Sequence, residues 1–261
     1  MQVTSGNLAI ITQAVNTKFI QMYLGQQPSW LNRIASIVPS STGEEIYPWM
    51  AEIPQFREWI GDRIANDVAT YDYRLKNKSF ELTMQLDRDL VKNDQYGVWI
   101  QTIVPQIAAN AARKKALLVR DAMRNGHLVN CYDGQHFFDA SHPVNKFAGS
   151  GVTGTQRNYW TSKPLTADNY AEVRAGMMTL KDASGEIMGI TPNILVVPPQ
   201  LETTARLILN SDIIAVGSLG GLTAVGGQTN VLKGSAEPLV IQELSPDPTT
   251  WYLLDTTKGL N

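Results

Sequence analysis

The sequence predicts an α+β fold, and three observations carry that prediction. Residues 71–87 alternate apolar and polar side chains with period two. Residues 94–126 carry apolar side chains at helical spacing without a break. From residue 127 onward, short strand-like apolar runs are interleaved with helix-like ones. The chain has 261 residues, 43% hydrophobic and 18% charged, which is enough to bury a sizeable core and too apolar for a disordered polypeptide. No run approaches the roughly 20 apolar residues that span a bilayer, and the first eleven residues do not read as a secretory signal. Cys131 is the only cysteine, which excludes an intrachain disulfide and fits a reducing cytoplasm.

Taken in order, residues 1–39 form an arm. Ile10, Ala14, Phe19 and Tyr23 give it an apolar helical face, and Gly25 and Pro28 end the helix. Such a segment needs a partner surface, since it is too short to make its own core. Residues 40–93 hold an extended loop whose centre, about 70–87, predicts a projecting hairpin. Tyr71, Tyr73 and Leu75 alternate on one strand, and Phe80, Leu82, Met84 and Leu86 on the other, with Asn77-Lys78 at the turn. Residues 94–127 predict one long helix, about 45 Å at 1.5 Å per residue. Asp94 caps its start, Asn125-Gly126 stops it, and Pro105 either kinks it or marks its true start.

Trp99, Ile103, Ile107 and Ala111 line one side of that helix, and Ile100, Val104, Ala108 and Ala112 another. Arg113, Lys114, Lys115, Arg120 and Arg124 crowd its second half, either as a surface for nucleic acid or as a solvated face near the negative helix end. A net charge of −2 favours the second reading and excludes a protein that grips phosphates over its whole surface. Residues 128–250 predict a compact domain. It has a helix over 167–183, a buried strand over 194–197, a helix over 201–209, a glycine-rich loop at 217–221 and strands over 239–244 and 251–254.

Two motifs invite catalytic readings. His127, Cys131, His136 and His142, with Asp133 and Asp139 among them, hold ligand types suited to zinc or to a Cys-His nucleophile. Their spacings match no zinc signature, so a packed structural loop is the expected outcome, with no metal, cofactor or catalytic residue. Gly149-Ser150-Gly151-Val152-Thr153-Gly154 matches G-x-G-x-x-G, but lacks the strand before and helix after that a dinucleotide site needs.

The order of parts resembles the tailed-phage capsid fold, often called the Hong Kong 97 type, with its N-arm, extended loop, peripheral domain with a spine helix, and axial domain. Local sequence is similar to the major head subunit T of Mu-like phages. The similar stretches are Tyr47-Pro48-Trp49, Pro54-Gln55-Phe56-Arg57-Glu58-Trp59, Phe80-Glu81-Leu82, Asp133-Gly134 through Phe137-Phe138 to His142-Pro143, and 192–199. The resemblance implies a structural shell protein and not an enzyme. Its partners would be copies of itself in hexamers and pentamers, portal, scaffold or protease and decoration proteins, and packaged double-stranded DNA held without sequence preference. Its place would be the virion, assembled in the host bacterial cytoplasm, with no membrane contact.

An encapsulin-type compartment and a small Cys-His enzyme are the rival readings. Arg57, Glu58, Arg63, Tyr71, Tyr73, Phe80, Leu82 and Met84 are the expected contacts between subunits. Residues 251–261 are expected to lead back toward the peripheral domain and to continue in a longer polypeptide. Otherwise an apolar groove should lie exposed beside the spine helix.

Overall fold

The computed structural model describes residues 5–50, 70–83, 85, 89, 96–131, 133–145, 152–215 and 227–258. Two compact units emerge, one of Met1–Ile37 with Lys78–Ala122, the other of Val38–Asn77 with Met123–Asn261.

In the first unit, helix α1 spans Ser5–Gly25 and ends at the glycine where the sequence predicts. A short helix α2 follows at Leu31–Ile34. Helix α3, Tyr96–Asn125, runs unbroken for 30 residues, about 45 Å. Pro105 sits inside it, so neither a start at Pro105 nor a break there is found. The proline leaves the carbonyl four residues back without its N–H donor. One turn earlier, the Thr102 hydroxyl donates to the Val98 carbonyl at 2.7 Å, a local bond of the kind that eases a helix into a bend. The expected cap, Asp94, lies outside the described residues.

Ile100, Val104, Ala108, Ala112 and Ala116 recur every fourth residue on α3, and the three alanines have no exposed surface. Ile11 of α1 packs on Ile100 and Val104, flanked by Val15, Phe19 and Trp99. The apolar face expected on α1 is therefore corrected at its first two positions, where Ile11 and Val15 replace Ile10 and Ala14, while Phe19 stands as expected. Ile10 is 61% exposed, whereas Ile11 is 5% exposed. The run Ile11, Val15, Phe19 and Tyr23 places a large side chain on every turn, whereas Ala14 could offer only a methyl group.

In the second unit, strand β1, Glu44–Met50, pairs antiparallel with β2, Thr70–Lys76, from Glu44 opposite Lys76 to Met50 opposite Thr70. This corrects the predicted hairpin. A strand does lie over 70–76, but its partner precedes it in sequence, and residues 77–83 form no ladder. Alternation marks a strand without naming its partner, and Pro48 lies inside the partner strand, where a proline argues against a strand in sequence.

The domain core is a three-stranded sheet in the order β8 (Glu237–Val240), β5 (Ile194–Val197), β9 (Tyr252–Leu254). The central strand β5 is buried along its whole length and pairs parallel with β8 and antiparallel with β9. Helices α4, Ala167–Met178, and α5, Glu202–Asn210, complete the layer. Tyr170, Leu195, Val197, Ala205, Ile208 and Leu209 form the shared core, with Trp251 and Leu253 packed on it.

Three expectations are revised here. Helix α4 stops at Met178 because Asp182 turns the chain, its carboxylate accepting from the N–H groups of Ser184 and Glu186 at 2.9 Å each. The strand over 239–244 ends at Val240 and gives way to a 3-10 turn at Gln242–Leu244. Residues 252–254 form β9 of this sheet, so they belong with the domain expected to end at 250. Two further antiparallel pairs form sheets of their own: β3 (His142–Pro143) with β4 (Thr155–Gln156), and β6 (Ile213–Ala215) with β7 (Gly227–Thr229). The glycine-rich residues 217–221 lie outside the described residues.

Asn230 joins these pieces. It is 7% exposed, and its amide donates to the carbonyls of Ile208 and Ser211 at 2.8 Å each while its oxygen accepts from Leu232 N–H at 2.9 Å. The side chain thus satisfies carbonyls at the end of α5 that no helix turn can reach. Asn230→Asp turns the donor into a carboxylate facing two carbonyls. The expected loss is about 2–4 kcal/mol of unfolding free energy, read from a urea melt. A loss near zero would show that the carbonyls find other donors.

Candidate functional site

The β1–β2 ribbon is tied at its base. Asn77 N–H donates to the Gly43 carbonyl at 3.0 Å. The Asn77 amide donates to Ser40 Oγ and to the Thr42 carbonyl, at 2.6 Å each. The Ser40 hydroxyl donates to Glu45 Oε1 at 2.7 Å, and the Thr42 hydroxyl reaches the same oxygen at 2.8 Å. Hydrogen bonds from Ser40 and then Thr42 hold the Glu45 carboxyl below its ordinary value. None of these four residues was singled out from sequence as a site, and Asn77 was assigned to a turn. A usable signal was present in Thr42-Gly43-Glu44-Glu45, which has the T-x-x-E spacing of a capping box, here opening a ribbon instead of a helix.

Beyond the ribbon, Phe80 and Leu82 are 55% and 58% exposed. Lys114 Nζ lies 4.6 Å from the Phe80 ring centroid. Tyr71 and Tyr73 stand in β2 at the positions opposite Trp49 and Tyr47. Arg57, Glu58, Arg63 and Met84 lie outside the described residues. On α1, Ile10, Ile20 and Leu24 are exposed, and an open groove of about 520 Å³ runs beside Ile10, Thr17, Gln21 and Ile100.

The cations of α3 are largely engaged. Lys114 covers Phe80, and Lys115 lies 5.5 Å from the Tyr23 ring centroid. A hydrogen bond from Lys115 is the main cause holding the Tyr23 phenol below its ordinary value. Arg120 pairs with Asp121 at 2.6 Å, and Arg124 pairs with Asp247. This distribution favours structural roles over a free basic face.

The Cys-His window is distributed among separate contacts. His142 Nδ1 meets Asp133 Oδ2 at 2.6 Å, and Asp133 Oδ1 accepts from Gln135 N–H at 3.0 Å. Among the described residues, His142 Nε2 is buried without a hydrogen-bond partner. His127 stacks on Tyr159 with 6.3 Å between centroids. His136 bridges Asn130 through the backbone, and Cys131 N–H donates to the Gln135 carbonyl at 2.7 Å around Gly134, whose φ is +88°. Among the described residues, no three His, Cys, Asp or Glu side chains gather as a metal would need. Asn158 closes the loop by donating to the Phe137 carbonyl at 2.7 Å and accepting from Asp139 N–H at 2.8 Å. The G-x-G-x-x-G run ends at Gly154 and leads into a strand, Thr155–Gln156, where a nucleotide site needs a helix.

A hydrogen-bonded ribbon foot, a long helix with a small-residue stripe and a mixed-sheet domain together define a class, the tailed-phage capsid fold. A chain of the bacteriophage JBD30 procapsid superposes with a TM-score of 0.66 at 21% identity, covering 93% of this chain and 100% of that one. A chain of the JBD30 capsid decorated with minor capsid protein trimers gives 0.63 at 22% identity, covering 83% and 90%. The family model for the Mu-like prophage major head subunit gpT matches residues 8–160 and 148–244, and the chain belongs to that family. The Mu-like prophage FluMu major head subunit of Haemophilus influenzae is 32% identical over 64% of this chain and 52% of its own length. The major capsid protein of Escherichia phage Mu is 33% identical over 59% and 49%. The matched part of this chain thus spans about half the length of each of these two relatives.

Tyr252 gives this region a pH signature. Burial first, then Asp247, raises its phenol from 10.0 to about 12, and Arg124 opposes the rise. A raised pKa in the fold means that the contribution to stability is complete below pH 10 and lost as pH climbs through about 12. Ultraviolet titration should show one late tyrosinate, absent in Tyr252→Phe. The Phe variant should also melt with less alkaline sensitivity over that window. Identical titration curves would exclude the assignment.

Proposed function

We propose that this chain is the structural subunit of a Mu-like phage head, self-assembling as hexamers and pentamers into an icosahedral shell around double-stranded DNA. The observation that carries the reading is the family match over residues 8–160 and 148–244. The solved relatives are named as a procapsid and a capsid, which supports a shell role and a place in the virion. Assembly in the host cytoplasm, and portal, scaffold or protease and decoration proteins as partners, follow from the same reading. The chain acts by assembly and not by catalysis, and needs no cofactor. An encapsulin-type compartment is not favoured, because the matched family is a phage head subunit.

The proposed contacts between subunits are the ribbon with Tyr71 and Tyr73, the exposed Phe80 and Leu82, and Met84. Arg57, Glu58 and Arg63 are proposed to form ion pairs across the same boundary. An exposed phenylalanine and leucine gain burial only when a neighbour covers them. The DNA contact is non-specific and weak, since the chain carries a net charge of −2.

Electron microscopy of the purified protein tests the shell, with closed particles expected and a persistent monomer at high concentration counting against it. Phe80→Asp with Leu82→Asp should cut particle yield at least tenfold while the thermal midpoint of the free subunit moves by less than about 2 °C. Arg57→Glu should hinder assembly more than folding. Particles at normal yield from both variants would remove these contacts from the interface.

A further inference from the structure

The base of the ribbon holds a directional relay. Asn77 donates its amide to Ser40 Oγ at 2.6 Å, and Ser40 passes its own hydroxyl proton toward Glu45 Oε1 at 2.7 Å. Thr42 approaches Glu45 Oε1 at 2.8 Å and the Glu44 carbonyl at 2.7 Å, so one hydroxyl serves either acceptor. Each role suits one chemical type: a two-proton donor at 77, a hydroxyl at 40 that accepts and donates, and an ionised acceptor at 45.

The location gives the relay a mechanical meaning. In sequence, residues 38–77 are inserted between two segments of the first unit, and the relay joins the two ends of that insert to each other. Two strands without a third, among the described residues, have little stability of their own. Gly43 at the foot has no heavy atom near the place its Cβ would occupy, so sterics leave that foot pliant. The side-chain relay and the Asn77–Gly43 backbone bond are what restrain it.

We infer that Glu45 is a positioning residue: with Ser40, Thr42 and Asn77 it fixes the direction in which the β1–β2 ribbon leaves its base, and so the neighbour that the ribbon meets. This rests on the shell reading for its consequence, while the restraint itself is a property of the single subunit. The lowered Glu45 carboxyl agrees with an ionised acceptor at neutral pH.

Hydrogen–deuterium exchange of the unassembled subunit separates the two. In Glu45→Ala and Asn77→Asp, peptides covering 70–76 should exchange roughly 3- to 10-fold faster, with the sheet peptides and the thermal midpoint unchanged. Glu45→Gln keeps an acceptor oxygen and should restore near-native exchange. Under assembly conditions, Glu45→Ala and Asn77→Asp should give fewer closed particles or particles of altered diameter. Unchanged exchange in both variants overturns the restraint. Faster exchange with particles of native yield and diameter overturns the direction-setting role. A native chain that forms no particles defeats the shell reading and leaves exchange to judge the restraint.

Discussion

A long helix in water cannot stand alone with one apolar stripe, and α3 carries such a stripe along most of its length. Ile100, Val104, Ala108, Ala112 and Ala116 repeat at four-residue spacing and are almost wholly covered. The change from large to small side chains along the stripe dictates how close other chain can come. Near Ile100 and Val104 the side chains of α1 interlock with branched residues. At the alanines the backbone itself is the packing surface, and approach is limited by main-chain atoms. The arm's register follows, since Ile11, Val15 and Phe19 present bulk on the turns that meet α3.

The second unit solves a different problem. Its central strand β5 is buried at every residue, so it needs hydrogen-bonded neighbours on both edges and apolar cover on both faces. β8 and β9 supply the first, and the helices with Trp251 and Leu253 supply the second. The remaining polar ends are closed by side chains. Trp251 donates to the Lys163 carbonyl at 2.9 Å, Tyr170 meets Ser235 at 2.9 Å, and Gln156 pairs with both backbone groups of Lys181 as a strand would.

Elements with a strong period were legible in the sequence. The 30-residue helix, its Asn125-Gly126 stop and the β5 run followed directly from spacing and turn chemistry. Strand pairing was not, because alternation over 71–75 is silent about whether the partner lies before or after it. The face of α1 was legible at Phe19 but off by one residue at Ile10 and Ala14, because alanine and larger apolar residues count alike in a pattern but not in packing. The base of the ribbon was missed for a related reason. Serine, threonine, asparagine and glutamate near a glycine read as ordinary loop composition until distances show them sharing protons.

The engaged cations of α3 also limit what that helix can offer a polyanion. A phosphate seeking Lys114 or Lys115 must first displace an aromatic ring, and one seeking Arg124 must displace Asp247. Few counterions are then left for it to release, so the attraction is shallow and depends weakly on salt. A helix face of this kind would hold an anionic polymer loosely and let it go without a change of salt.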